Sequence, residues 1–84
     1  MNHAIVSRNL HSAEDVQAEV SRLIHEHRHV RTSAVVIVVP LPTLQRADGT
    51  GLNWWMSGFG HAIGFEDDIR TVVAEVAKIW NLAE

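Results

Sequence analysis

The segment Thr32–Val39 (TSAVVIVV) constrains this chain more than any other. It is β-branched and apolar at odd and even positions alike. That pattern predicts a strand covered on both of its faces. Pro40 and Pro42 end it, because neither has an N–H for a ladder. Two helical patterns flank this strand, so helices supply the cover on one side. The chain has 84 residues, which is one domain, 1–84. A body of that size buries roughly 60–65% of its unfolded surface and has little left for the second side.

The pattern upstream and downstream fills in the rest. Asn2–Ser7 (NHAIVS) reads as a short strand. Ser12 opens a helix, with Asp15 completing a near capping box and Glu14 beside it at the positive end of the dipole. Val16, Val20, Leu23, Ile24 and His27 recur at helical spacing, and the helix is predicted to run to about His29. After Thr32–Val39 comes a loop, Thr43–Gly51, with Asp48–Gly49 as its turn. Leu52–Phe59 (LNWWMSGF) reads as a further strand, antiparallel to the previous one, with Leu52, Trp54 and Met56 on one face and Asn53, Trp55 and Ser57 on the other. Gly58–Gly64 is a flexible connector. A last helix is predicted from about Phe65 to Leu82, with Glu66, Asp67 and Asp68 in its first turn and Lys78 near its end. Ile69, Val72, Val73, Val76, Ile79 and Trp80 form its buried stripe.

The expected class is therefore α+β. The expected form is a two-layer domain of order β-α-β-β-α, with a three-stranded sheet and two helices packed on one face. The other face of that sheet is left apolar, and such a face marks an interface. A homodimer is expected there, through Val35, Ile37 and Trp55, or through the alternate set Val36, Val38 and Trp54.

Composition removes several classes of function. Apolar residues are 46% and charged residues 20%, a globular balance. There is no Cys, so there is no disulfide framework, thiolate metal site or Cys nucleophile. The longest apolar run, Ala34–Leu41, is far below the ~20 residues of a membrane span. Met1–Val6 has neither the basic region nor the apolar stretch of a signal peptide, so a cytoplasmic location is expected.

Four constellations bear on chemistry. His25, His27 and His29 alternate like metal ligands, but on a helix His27 falls on the apolar stripe while His25 and His29 fall opposite, on the solvent face. Two helical ligands make no complete site, so no metal and no cofactor are expected. Truncating His27 is expected to cost more stability than truncating His25 or His29. Arg22, Arg28 and Arg31 with Glu26 give the segment 22–31 a formal charge of +2, against −4 for residues 47–84. That basic patch suits an acidic protein surface or, less well, nucleic acid, since the chain holds a single Lys and strong duplex binding needs many phosphate contacts. Trp54 and Trp55 point to opposite faces, and the outward one is a candidate contact residue. Gly58-x-Gly60 with Gly64 before a helix lacks the Gly-Lys-Ser/Thr ending of a phosphate loop, and three acids occupy the place of the anion. Ser57 and His61 flank this connector, but nucleophilic catalysis also needs an orienting carboxylate and an oxyanion hole, so no enzyme is expected.

The size, the lack of Cys, the βαββα-like order and the block Asn53-Trp54-Trp55 … Glu75-Val76-Ala77-Lys78-Ile79-Trp80-Asn81-Leu82 resemble the small α/β proteins of phages and prophages, in particular the anti-CRISPR class. The resemblance implies a non-enzymatic inhibitor that occludes a surface of a host nucleic-acid-processing complex. It assigns no functional residues. Some members mimic DNA with dense acidic surfaces, and here Glu66, Asp67, Asp68 and Glu75 are too few for that. Contacts are expected instead through Arg22, Arg28 and Arg31 or through the outward Trp. The alternatives are a small nucleic-acid-binding protein using the same arginines, and a His-dependent metal-binding protein.

Overall fold

The computed structural model describes residues 8–83. In chain order these form β1 (Asn9–His11), α1 (Ala13–Glu26), α2 (Arg28–Ser33), β2 (Thr43–Leu44), β3 (Trp54–Trp55), α3 (Glu66–Ala77) and β4 (Trp80–Leu82). The class is α+β. The strand predicted at Asn2–Ser7 lies outside the described residues.

Helix α1 starts where its sequence says. The Ser12 hydroxyl accepts the Asp15 N–H at 3.1 Å, which satisfies one of the orphan donors of the first turn. Val16, Val20 and Ile24 are buried on the face that meets Ile69, Val72, Val73 and Val76 of α3. Leu52, Trp54, Met56 and Leu82 close this core.

The helix does not reach His29. It stops at Glu26, and His27 is extended (φ −63°, ψ 131°) before α2 begins at Arg28. The described residues therefore hold three helices where two were expected. Helix α2 also takes the start of the strand predicted at Thr32–Val39. The Thr32 and Ser33 hydroxyls bond back to the His29 and Val30 carbonyls at 3.2 and 2.7 Å, a pairing that stabilises a helical turn over an extended chain. Ala34 then ends the helix in the left-handed region, φ 60°. Residues 35–39 run on with alternating faces: Ile37 is buried, while Val36 and Val38 are exposed. Their only strand-type pairing among the described residues is one antiparallel bridge, Val38 to Gly60.

The sheet differs as well. Among the described residues there are two two-stranded pairs in place of a three-stranded sheet: β1 with β4, parallel, and β2 with β3, antiparallel. Strand β4 occupies residues predicted as the end of the last helix. Arg8 explains the early stop. Its guanidinium donates to the carbonyls of Ala77 and Lys78 at the negative end of α3, and to Asn81 Oδ1 at 2.7 Å.

Asn53 explains why the two pairs stay separate. It is buried, and its amide donates to the Leu82 carbonyl at 3.0 Å and accepts the Leu82 N–H at 2.9 Å. One side chain thus fills the edge of β4 that a third strand would have paired. Trp54 adds a bond from its indole N–H to the Trp80 carbonyl at 2.8 Å. The loop before β3 is held by Asp48, whose Oδ1 accepts from the Thr50 hydroxyl (2.6 Å) and the Thr50 N–H (2.8 Å). These bonds hold the Asp48 carboxyl below its ordinary pKa.

Candidate functional site

An open groove of about 770 Å³ lies between the chain that follows β3 and helix α3. Trp55, Met56 and Phe59 form one wall, and Ile69 and Val73 of α3 form the other. Sheet alternation places these walls. Trp54 enters the core completely, so its neighbour Trp55 must face out, and it is 43% exposed. Residues 58–64 then turn back toward α3. Gly60 lies against Val38, where an added Cβ would come within 2.9 Å of the Val38 Cβ. His61 sits at φ 58° and its Nδ1 donates to the Val36 carbonyl at 3.2 Å. This anchored turn lifts Ile63 clear of the body, 91% exposed.

Charge at the rim comes from α3. The Gly64 N–H donates to Glu66 Oε1 at 2.9 Å, and Arg70 pairs with Asp67 at 2.8 Å. Glu66 and Arg70 are four residues apart and both line the groove. Ser57 and His61 also lie on its rim. No hydrogen bond joins them, and the His61 Nδ1 hydrogen goes to a backbone carbonyl where a catalytic pair would need a carboxylate.

The structure separates the arginines that the sequence groups. Arg22 is bound by two carboxylates, Glu19 at 2.8 Å and Glu26 at 3.0 Å. They raise its pKa further, so it stays protonated and ion-paired. Arg28 and Arg31 lie exposed on α2 and make no ion pair among the described residues.

The histidines are separated too. His25 is not on open solvent: its Nδ1 donates to the Ser21 carbonyl at 2.7 Å, and its Nε2 accepts the Ile37 N–H at 3.0 Å. His29 meets Asp68 at 2.6 Å and packs on Phe65, ring centroids 4.7 Å apart. His27 lies 3.7 Å from the same carboxylate. Among the described residues no group of three or more such side chains is arranged to hold a metal.

The expected dimer surface is divided. Ile37 is only 2% exposed and belongs to the core, so it cannot contact a partner, and Val35 is half-buried. Trp54 of the alternate set is buried as well. Val36, Val38 and Trp55 remain outside. The groove itself was not read from sequence. Its local signal is the pair of large apolar residues Phe59 and Ile63 in a glycine-rich connector. No helix among the described residues is long and apolar enough to cross a membrane. No family model matches the chain, and neither a curated protein nor a solved structure matches it.

Proposed function

We propose that this chain is a non-enzymatic protein-binding module that works through the groove between Trp55 and α3. One observation carries the reading: an open, mainly apolar groove flanked by an exposed Trp and by an Ile that is 91% exposed. Exposing large apolar residues together is costly unless they are covered in use. Trp is also the residue most enriched where binding energy concentrates. The most concrete form of this reading is a phage-type inhibitor that occludes a surface of a CRISPR-type complex.

The test is DNA cleavage by a purified CRISPR-type interference complex with increasing amounts of the protein. Inhibition is expected, and Trp55→Ala and Ile63→Asp should each weaken it at least about 10-fold, the effect of losing one central apolar contact. Inhibition that both variants retain in full would overturn the groove, and no inhibition of any such complex would overturn the inhibitor.

Arg28 and Arg31 favour a second reading, direct binding of nucleic acid. With Arg22 engaged by Glu19 and Glu26, the two guanidinium groups of Arg28 and Arg31 support a salt slope of only about −2. Binding that steepens well beyond this value, and that Arg28→Glu weakens for all sequences alike, would favour nucleic acid over protein.

A further inference from the structure

Residues 35–39 lie across α1, and one of the bonds that seats them there admits a single protonation state. We infer that this segment is a strap, released from α1 when His25 takes up a proton. No residue of the strap lines the groove, so its release is separate from the reading of that surface. Two backbone groups of fixed polarity bracket the half-buried imidazole. The Ser21 carbonyl, 2.7 Å from Nδ1, can only accept, so Nδ1 carries the hydrogen. The Ile37 N–H, 3.0 Å from Nε2, can only donate, so Nε2 is bare. The Ser21 hydroxyl, 3.4 Å from Nδ1, can rotate to suit. A second proton enters at Nε2 and sets two N–H groups against each other. The Ile37 N–H then loses its acceptor.

The strap has one further bond to α1, from Gln17 Nε2 to the Val39 carbonyl at 2.9 Å. Its other bonds lead away from α1 to the turn at residues 58–64, through the Val38–Gly60 bridge and from His61 Nδ1 to the Val36 carbonyl. Ile37 is the strap's one fully buried side chain, so the bond that a proton breaks lies where the strap meets the core. No facing group compensates the added charge. The strap itself, Val35 to Val39, carries no titratable side chain. His61, behind it, donates to Val36 in either charge state. Along α1, Arg22 and Glu26 are exposed and paired with each other. His29 of α2 is engaged by Asp68 of α3. Among the described residues no carboxylate lies within ion-pair distance of His25. The open strap leaves His25 free to bind a proton and the closed strap does not. Closure therefore gains as pH rises and loses as pH falls through the imidazole range. A free imidazole, with a pKa of about 6.5, favours its protonated form about 30-fold at about pH 5, and that factor bounds the shift toward the open strap.

Nuclear magnetic resonance on the wild-type chain tests the strap. The nitrogen-15 shifts of His25 should place its hydrogen on Nδ1 at about pH 7.5. Amide exchange, corrected for the intrinsic effect of pH on each amide, should show Ile37 losing protection about 10–30-fold between about pH 7.5 and about pH 5, relative to Val20. The Val20 amide lies in the middle of α1 and reports opening of the whole fold. A thermal melt cannot replace this measurement, because a proton on His27 or His29 meets the Asp68 carboxylate and acts with the opposite sign. In His25→Gln the side-chain oxygen accepts from Ile37 and does not titrate, so the difference between Ile37 and Val20 should no longer change with pH. A hydrogen on Nε2 at about pH 7.5 overturns the strap. So does wild-type Ile37 protection that stays constant, or that falls no more than that of Val20. A fall of the same size in His25→Gln also overturns it, because the sensitivity then lies outside His25. The tautomer and the wild-type exchange need no variant, so a folding defect in His25→Gln leaves the test intact.

Discussion

His25 lies on the face of α1 opposite Val16 and Val20, where a polar side chain ordinarily meets water. It does not, because residues 35–39 cross that face. Gln17, Ser21 and His25 stand at i, i+4 and i+8, and the stripe they form is polar because what it meets is backbone. Gln17 donates to the Val39 carbonyl at 2.9 Å, and His25 joins the Ser21 carbonyl to the Ile37 N–H. Both His25 bonds form only with the hydrogen on Nδ1 and Nε2 bare. His25→Ala strips the partner from the Ile37 N–H next to a buried side chain, at about 1–3 kcal/mol. His27 contributes less, since its buried Nδ1 has no hydrogen-bond partner. His29 is exposed, and its pair with Asp68 is worth at most about 1 kcal/mol. Urea melts of the three single alanine variants should therefore rank His25 first. That order reverses the one expected from helical periodicity. A larger loss for His27→Ala would mean that the crossing of residues 35–39 over α1 contributes little.

The elements whose causes are local were legible. Ser12 caps α1, the Val16 stripe is buried, Trp54 and Trp55 part to opposite faces, and acids fill the first turn of α3. Two elements were not, one because its cause is distant in sequence and one because its local signal reads either way. Helix α3 keeps its apolar period through Ile79 and Trp80, yet it ends at Ala77 because Arg8, nearly 70 positions earlier, takes its last carbonyls. The break at His27 has neither Gly nor Pro to announce it. Thr32 and Ser33 carry strand propensity but close a helical turn through their own hydroxyls. The groove was illegible for a related reason: its walls come from β3, the turn at residues 58–64 and α3, and the bridge of Gly60 to Val38 with the His61 bond to the Val36 carbonyl fixes where that turn sits. The end of α2 offers a direct check. Ala34 is exposed at φ 60°, a conformation that costs an L-residue roughly 1 kcal/mol and glycine almost nothing. Ala34→Gly should raise stability by about 0.5–1 kcal/mol despite glycine's greater freedom when unfolded, with a matching rise in melting temperature. A fall in stability would place Ala34 in ordinary helical backbone and extend α2 toward the strand originally expected.

Asn53 carries a large share of the stability of this small body. A chain of 84 residues has a total stability of about 4–13 kcal/mol. Its two strand pairs share no backbone ladder, so their coupling falls to the α1–α3 core, the Trp54 indole, the Asn53 amide and the bonds of Asn81 and Arg8 to the Gly51 and Thr50 carbonyls. Asn53→Ala leaves the buried N–H and C=O of Leu82 without partners. At about 1–3 kcal/mol for each group, the loss comes to a large share of the whole. Asn53→Asp is the sharper probe, because a carboxylate still accepts the Leu82 N–H but turns its second oxygen toward the Leu82 carbonyl. Both variants should unfold at much lower urea than the parent, with Asp no better than Ala at neutral pH. Tryptophan fluorescence and helical circular dichroism should still fall together, since the helix pair and the indole belong to one core. If Asn53→Asp retains parent stability, Asn53 is a surface hydrogen bond and not the link between the two pairs. If the two signals separate in the parent itself, the strands and the helices are distinct folding units, and the argument for a single core around Trp54 fails.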